Sequence, residues 1–179
     1  MTDLSRRGDW MQTHSGTAFW PLDPLPEDVS ITDIAHALSH LCRYAGHTHN
    51  FYSVAQHSVL VSRNLPAEHA MWGLLHDAAE AYVVDIPRPL KRYLKGYAQI
   101  EAGVLRAIAQ HFELPPEIPA EVKRVDNAIL ADESVQLMGP APRPWVLHEP
   151  PLGIKINIWT PRFARSAFIH RYLELIGEA

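Results

Sequence analysis

A histidine and an aspartate stand side by side inside an apolar run, WGLLHDAAEAYVVDIPRPLK at residues 72–91. The run has the composition of a buried helix. An imidazole and a carboxylate set between Leu75 and Ala78 are costly to bury unless each finds a partner or a metal. Adjacent residues on a helix point about 100° apart, so His76 and Asp77 can share one ligand only if other helices bring the remaining donors. That requirement dictates a fold in which several helices pack around this one. Two donors elsewhere answer it. His57 lies in FYSVAQHSVLVS, flanked by residues that pack it inward, and Asp126 lies in EVKRVDNAILADE, another stretch of buried character.

The rest of the chain supplies the helices. Ser30 and Asp33 have capping-box spacing, after which Ile34, Leu38, Leu41 and Cys42 recur at helical intervals. A second helix is predicted to start within residues 50–53 and to carry Val54, His57, Val61 and Leu65. Pro66 suits the first turn of a third helix, which runs through AEHAMWGLLHDAAEAYVV and ends before Pro87. A fourth covers residues 97–112 with Ile100, Val104, Ala107, Ile108 and Phe112 as its buried stripe, and a fifth covers residues 120–138. Prolines make residues 139–151 irregular. Residues 153–159, GIKINIW, alternate and form a short strand or an extended arm. Thr160 and Pro161 open a last helix with Phe163, Ala167, His170 and Leu173 on one stripe. With residues 1–29 as an irregular N-terminal arm, the reading is an all-α bundle of about six helices in one domain spanning residues 1–179.

Composition narrows the partners. Sixteen Lys and Arg against twenty Asp and Glu give a net charge of −4, which argues against a nucleic-acid polymer as ligand. A small anionic substrate remains compatible, because a pocket needs only a few local cations. No apolar run approaches the ~18 residues of a membrane span, and the first ten residues lack the apolar core of a signal peptide. Cys42 is the only cysteine, so no intrachain disulfide and no cysteine-based zinc site are expected, and the expected compartment is the cytoplasm. Eleven histidines exceed what packing alone calls for.

Two histidines and two aspartates from three helices make a mixed nitrogen and oxygen site, suited to a divalent transition metal with positions open to water and substrate. Glu80 is i+4 from His76 and i+3 from Asp77, on the same helix face, and Asp85 follows at the helix end. Further carboxylates beside a metal pair are what general acid–base chemistry requires.

The order His57, His76-Asp77, Asp126 resembles the H…HD…D signature of the HD-domain superfamily of metal-dependent phosphohydrolases. More narrowly, HDAAEAYVVDIPRPLK is similar to the matching segment of that superfamily's bacterial 5′-deoxynucleotidases: H-D-x-x-E, then Asp, then a Pro-containing loop and Lys. Arg43-Tyr44 resembles the family's Arg–aromatic pair. The resemblance covers residues 31–138. It implies one divalent metal ion held by His57, His76, Asp77 and Asp126, with Zn, Mn, Co, Fe, Ni and Mg all open. It also implies Glu80 and Asp85 in catalysis, Arg43 on the phosphate and Tyr44 near the sugar, and Lys91 could add a point charge. Either carboxylate could take a proton from water or give one to the leaving 5′-oxygen. The implied reaction is removal of phosphate from deoxynucleoside 5′-phosphates. The alternatives are a deoxynucleoside triphosphate triphosphohydrolase using the same site, an alarmone hydrolase, and a nucleotide-binding module without turnover. The implied partners are a small-molecule nucleotide and, by analogy, further copies of the chain in a homo-oligomer. The interval from His57 to His76 is much shorter than the family's, implying a truncated helix hairpin. Tyr44 stands where the family often has Trp, which bears on sugar selectivity.

His36 and His40 have the i, i+4 spacing of a zinc pair, but no third ligand is evident nearby. A polar helical stripe of His36, His40, Arg43 and His47 is expected instead. Between Asp77 and Asp126 the only histidine is His111, so one metal is expected rather than two. Trp10, Trp20, Trp145 and Trp159 fall in the arms, where packing is the expected role.

Overall fold

Gly73 marks a close approach between two segments of the fold. A methyl group built on it would lie 2.4 Å from the Leu65 side chain and 3.0 Å from the Ser62 backbone, so only glycine lets two helices meet there. The computed structural model in which this is seen describes residues 6–178, and the first five residues of the expected arm lie outside it. In chain order, β1 (Met11–Gln12) pairs antiparallel with β2 (Ala18–Phe19) in the register Met11 to Phe19, giving the N-terminal arm a small hairpin where irregular chain was expected. The helices are α1 (Ile31–His40), α2 (Val54–Arg63), α3 (Ala67–Leu75), α4 (Glu80–Val83), α5 (Arg88–Lys91), α6 (Tyr97–His111), α7 (Ala120–Gln136) and α8 (Pro161–Ile176). Among the described residues six of these have nine residues or more, and α4 and α5 are single turns. The fold is all-α apart from the hairpin. Among the described residues no helix is long and apolar enough to cross a membrane.

Helix α2 is the hub. It packs on α1, α3, α7 and α8, and its buried residues face two cores. One core gathers Ile34, Leu38, Val59, Leu74, Leu75, Val104, Ile108 and Phe168, and the other gathers Val61, Trp72, Val122 and Ile129. The link between α2 and α3 is only residues 64–66, so the two helices fold back as the short hairpin the His57–His76 spacing implied. Gly73 sits at its crossing, one turn before His76, and brings the two histidine-bearing segments together.

Three expectations are corrected, and one left between two alternatives is decided. The helix expected to run unbroken past Asp77 ends at Leu75. The Gly73 carbonyl accepts from His76 Nδ1 at 2.9 Å, and beyond it the backbone tightens to i→i+3 bonds, Ala78 to Leu75 and Glu80 to Asp77, before α4 begins. The capping box at Ser30 does not form. Asp33 is buried and accepts instead from the Ser15 amide (2.7 Å) and hydroxyl (2.8 Å) in the hairpin turn. On α8 the buried positions are Ala164 and Phe168, whereas Phe163 is 55% exposed and His170 is exposed, so the stripe lies one residue on from the expected one. Residues 153–159 are an extended arm rather than a strand. Two glutamines stand in for a neighbouring strand: Gln56 bonds the Asn157 carbonyl and the Trp159 amide, and Gln136 bonds the Ile154 carbonyl and the Ile156 amide.

Candidate metal centre

His57 is wholly buried in the middle of α2, and the segment after α3 carries His76 and Asp77 against it. Asp126 enters from α7. The His57 and His76 Nε2 atoms are 3.3 Å apart, and His57 Nε2 is 3.1 Å from Asp126 Oδ1. Ligand atoms of His57, His76 and Asp126 all lie within 4.8 Å of one another, so these three residues could hold a metal ion. Asp77 adjoins this set. Its Oδ2 is 3.3 Å from His76 Nε2 and 3.7 Å from His57 Nε2, and it also accepts from Arg43 Nη1 at 3.3 Å.

The outer nitrogens fix the tautomers. His57 Nδ1–H donates to Glu133 Oε1 at 2.7 Å, and His76 Nδ1–H donates to a backbone carbonyl, which can only accept. With both rings neutral, the two Nε2 lone pairs face each other and the aspartate oxygens, an arrangement that a proton or a bound cation satisfies. The donor set fits a divalent ion. The same field acts on protons. Burial and the Arg43 charge push the His57 imidazolium down, but Glu133 and Asp126 outweigh them and hold its pKa at about 9. His76 is raised by Asp77 against burial, while Asp77 and Asp126 are held below the usual carboxylate range against burial, mainly by His76 and His57 respectively.

Glu133 is the residue that sequence reading missed. It is fully buried, and besides His57 it accepts from Arg43 Nη2 (3.3 Å), Tyr52 Oη (2.8 Å) and the Tyr44 hydroxyl. Burial opposes its charge, yet Arg43 and His57 hold its pKa down at about 2. Its signal was in the sequence: it lies seven residues after Asp126, two turns along the same face, and four after the buried Ile129. Tyr52 was missed as well, and nothing in its sequence context distinguishes it from core.

Arg43 and Tyr44 do reach the site, but not from a helix end. Helix α1 stops at His40, so the expected stripe of His36, His40, Arg43 and His47 is broken. The His36 ring packs instead between those of His14 and His40. Arg43 is fixed by its amide bond to the Tyr52 carbonyl, and the next two residues are left-handed, Tyr44 at φ 56° and Ala45 at φ 51°. A non-glycine residue there costs roughly 1–2 kcal/mol. This turn, and not helical 100° spacing, sets the Tyr44 direction, and Arg43 and Tyr44 converge on the Glu133 carboxylate.

On the opposite side, a cavity of about 210 Å³ is lined by His76, Asp77, Glu80, Lys91, Glu101 and Leu105 among others. Glu80 is buried and its Oε2 has no partner. Burial, reinforced by the charges of Asp77 and Asp85, raises its pKa well above the ordinary carboxyl value. Asp85 is raised for the same reason, by burial and then by Asp77 against the pull of Arg43. It follows Val84, whose φ of 67° and ψ of 155° are strained for a β-branched residue, held by Tyr97 Oη donating to the Val84 carbonyl at 2.7 Å. Lys91 forms an ion pair with Glu101 on α6.

No protein-family model matches the chain. Two relatives do. The uncharacterized protein YfdR of Escherichia coli K12 is 45% identical over 124 residues, covering 69% of this chain and 70% of that one. The uncharacterized protein RCAP_rcc00048 of Rhodobacter capsulatus is 34% identical over 187 residues, covering 93% and 95%. Similarity of that degree over that much of each chain places this protein in the family to which YfdR and RCAP_rcc00048 belong.

Proposed function

We propose that the chain is a metal-dependent phosphohydrolase of the HD-domain superfamily that removes phosphate from deoxynucleoside 5′-phosphates. The observation that carries this reading is the convergence of two imidazole lone pairs and two aspartates at the end of a cavity whose wall holds an unpartnered, buried glutamate. His57, His76, Asp77 and Asp126 would hold one divalent ion, which when bound supplies Lewis acidity toward a phosphoryl oxygen and a lowered pKa for water.

The chain's own groups do the rest. Water adds to phosphorus as the bond to the 5′-oxygen breaks, so one proton must leave the water and one must reach the departing alkoxide. Glu80, kept protonated by burial between Asp77 and Asp85, is the donor to the 5′-oxygen, and Asp85 is the acceptor. Arg43 sets Asp77 through Nη1 and adds positive charge beside the phosphoryl site. Tyr44 acts through Glu133, holding the carboxylate that orients His57. The reading carries with it a cytoplasmic enzyme and, by analogy with such enzymes, a homo-oligomer, which light scattering checks.

The test is product analysis with deoxynucleoside mono- and triphosphates and guanosine tetraphosphate, each with Mn, Co, Zn, Ni, Fe and Mg. Orthophosphate from the monophosphates is expected. Tripolyphosphate would instead identify the triphosphohydrolase, pyrophosphate the alarmone hydrolase, and no product with any pair a binding module.

A further inference from the structure

Helix α6 reads in the sequence as packing alone, and Val104, Ala107 and Ile108 do enter the core. Its other face, with Glu101, Ala102 and Leu105, forms the far wall of the cavity that begins at His76 and Asp77. Among the described residues lining that cavity Lys91 is the one lysine or arginine. Its Nζ is already paired with Glu101 while lying over the Tyr97 ring at 5.5 Å. Arg43, on the other side of the centre, is likewise committed to Asp77 and Glu133. Arg88, which opens α5, and Arg92 and Lys95, which follow it, are exposed and line no part of the cavity.

Charge along the cavity is therefore graded. Its inner end, at His76 and Asp77, adjoins the candidate cation site. Its outer wall offers a neutralised lysine, a carboxylate and the apolar surface of Ala102 and Leu105. A phosphate monoester suits this gradient, with its dianion inward and a neutral sugar outward. About 210 Å³ is room for a sugar phosphate, below the usual size of pockets that enclose larger ligands. A second or third phosphate would meet the Glu101 carboxylate with no free cation to receive it. We propose that Glu101 is a specificity-determining residue which, by pairing with Lys91 and leaving no uncompensated positive charge on the outer wall, restricts the site to substrates with a single phosphate.

This rests on the phosphohydrolase reading, and the experiment separates the two. At constant free Mn²⁺, the wild-type protein and its Glu101→Gln and Glu101→Asp variants are titrated with orthophosphate, pyrophosphate and tripolyphosphate by calorimetry. In parallel, kcat/KM is measured for a deoxynucleoside 5′-monophosphate and the matching triphosphate. Wild type is expected to bind orthophosphate at least as tightly as pyrophosphate. Glu101→Gln should shift that ratio toward pyrophosphate by about tenfold, the scale of removing one charge at a half-exposed site. It should move the triphosphate-to-monophosphate kcat/KM ratio the same way. Glu101→Asp, which keeps the charge, should stay near wild type and excludes a merely structural cause. An unchanged anion ratio in folded Glu101→Gln overturns the proposal. Absence of hydrolysis with every nucleotide would overturn the phosphohydrolase reading, while the anion titration would still decide for or against Glu101.

Discussion

The two walls of the candidate centre are built on different physics. The inner wall, with Tyr52, His57 and Glu133 buried and Arg43 and Tyr44 half-buried, is cross-bonded, four side chains donating to one carboxylate. The outer wall, with Glu80 and Lys91 on single-turn helices and Asp85 on the strained loop between them, has the Glu80 carboxylate unpartnered and its one lysine held by an ion pair with Glu101. A carboxylate bonded by four donors holds geometry, whereas an unpartnered buried acid holds reactivity. The inner wall should therefore govern stability and metal affinity, and the outer wall turnover. Removing a ligand that both walls depend on has the largest expected effect. Asp126→Ala should abolish metal binding and lower activity at least ~10⁴-fold; full metal content by elemental analysis would break the assignment.

Glu80→Gln isolates the outer wall. Turnover should fall ~10²–10³-fold, the range of a lost general acid. Metal content and urea midpoint should stay at wild-type values, because no partner is lost. A drop in metal content would move Glu80 into the ligand set and dissolve the contrast between the walls.

Glu133→Gln isolates the inner wall. An amide is a weaker acceptor than a carboxylate and brings an NH₂ group into a nest of donors, so metal affinity should fall about 10–100-fold and stability by about 2–3 kcal/mol. The pH dependence of metal-free protein sharpens this. His57 has a folded pKa of about 9 against an ordinary 6.5, so its contribution, about 3 kcal/mol, is complete below pH 6.5 and is lost as pH rises through 9. Glu133, at about 2 against 4.5, behaves oppositely: its contribution is complete above pH 4.5 and is lost as pH falls through 2. In Glu133→Gln the alkaline loss should shrink, since the anion that holds the His57 proton is gone. An alkaline limb of wild-type size in denaturation curves at pH 6–10 would show that another group carries it.

The division between the walls also tracks what the sequence disclosed. Elements with a clear 3.6-residue period, such as α6 and α7, were legible to within two residues, and so was the cluster of His57, His76 and Asp126 that could hold a metal ion, with Asp77 adjoining it, because a buried polar residue on an apolar stripe announces itself. Glu133 carried the same signal two turns beyond Asp126, but Glu at the C-terminal part of a polar-looking helix reads as surface. The break at His76 was illegible, because a side chain that takes the Gly73 carbonyl leaves no mark on hydrophobic period. Nor could spacing disclose the left-handed pair at Tyr44 and Ala45, since neither residue favours φ above zero; tertiary bonds to Glu133 and Tyr52 hold them there. The arm at 153–159 was half legible. Its alternation was visible, but its partners are glutamine side chains from two helices rather than a strand.

The smallest expected effect tests whether that left-handed pair stores strain in the inner wall. Ala45 is exposed, so its methyl group contributes little packing, yet its φ of 51° carries the left-handed penalty of roughly 1–2 kcal/mol. Glycine would remove that penalty while adding unfolded-chain entropy worth about 0.4–1 kcal/mol. Ala45→Gly should therefore stabilise the protein by about 0.5–1 kcal/mol in urea denaturation with the slope unchanged. Activity should fall no more than about twofold, because Arg43 and Tyr44 stay anchored by Glu133 and the Tyr52 carbonyl. A destabilised Ala45→Gly protein would mean that the turn is rigid for reasons other than strain. A large loss of activity at unchanged stability would mean that Ala45, and not the Glu133 network, fixes Arg43, and the inner wall would then be a loop-held structure like the outer one.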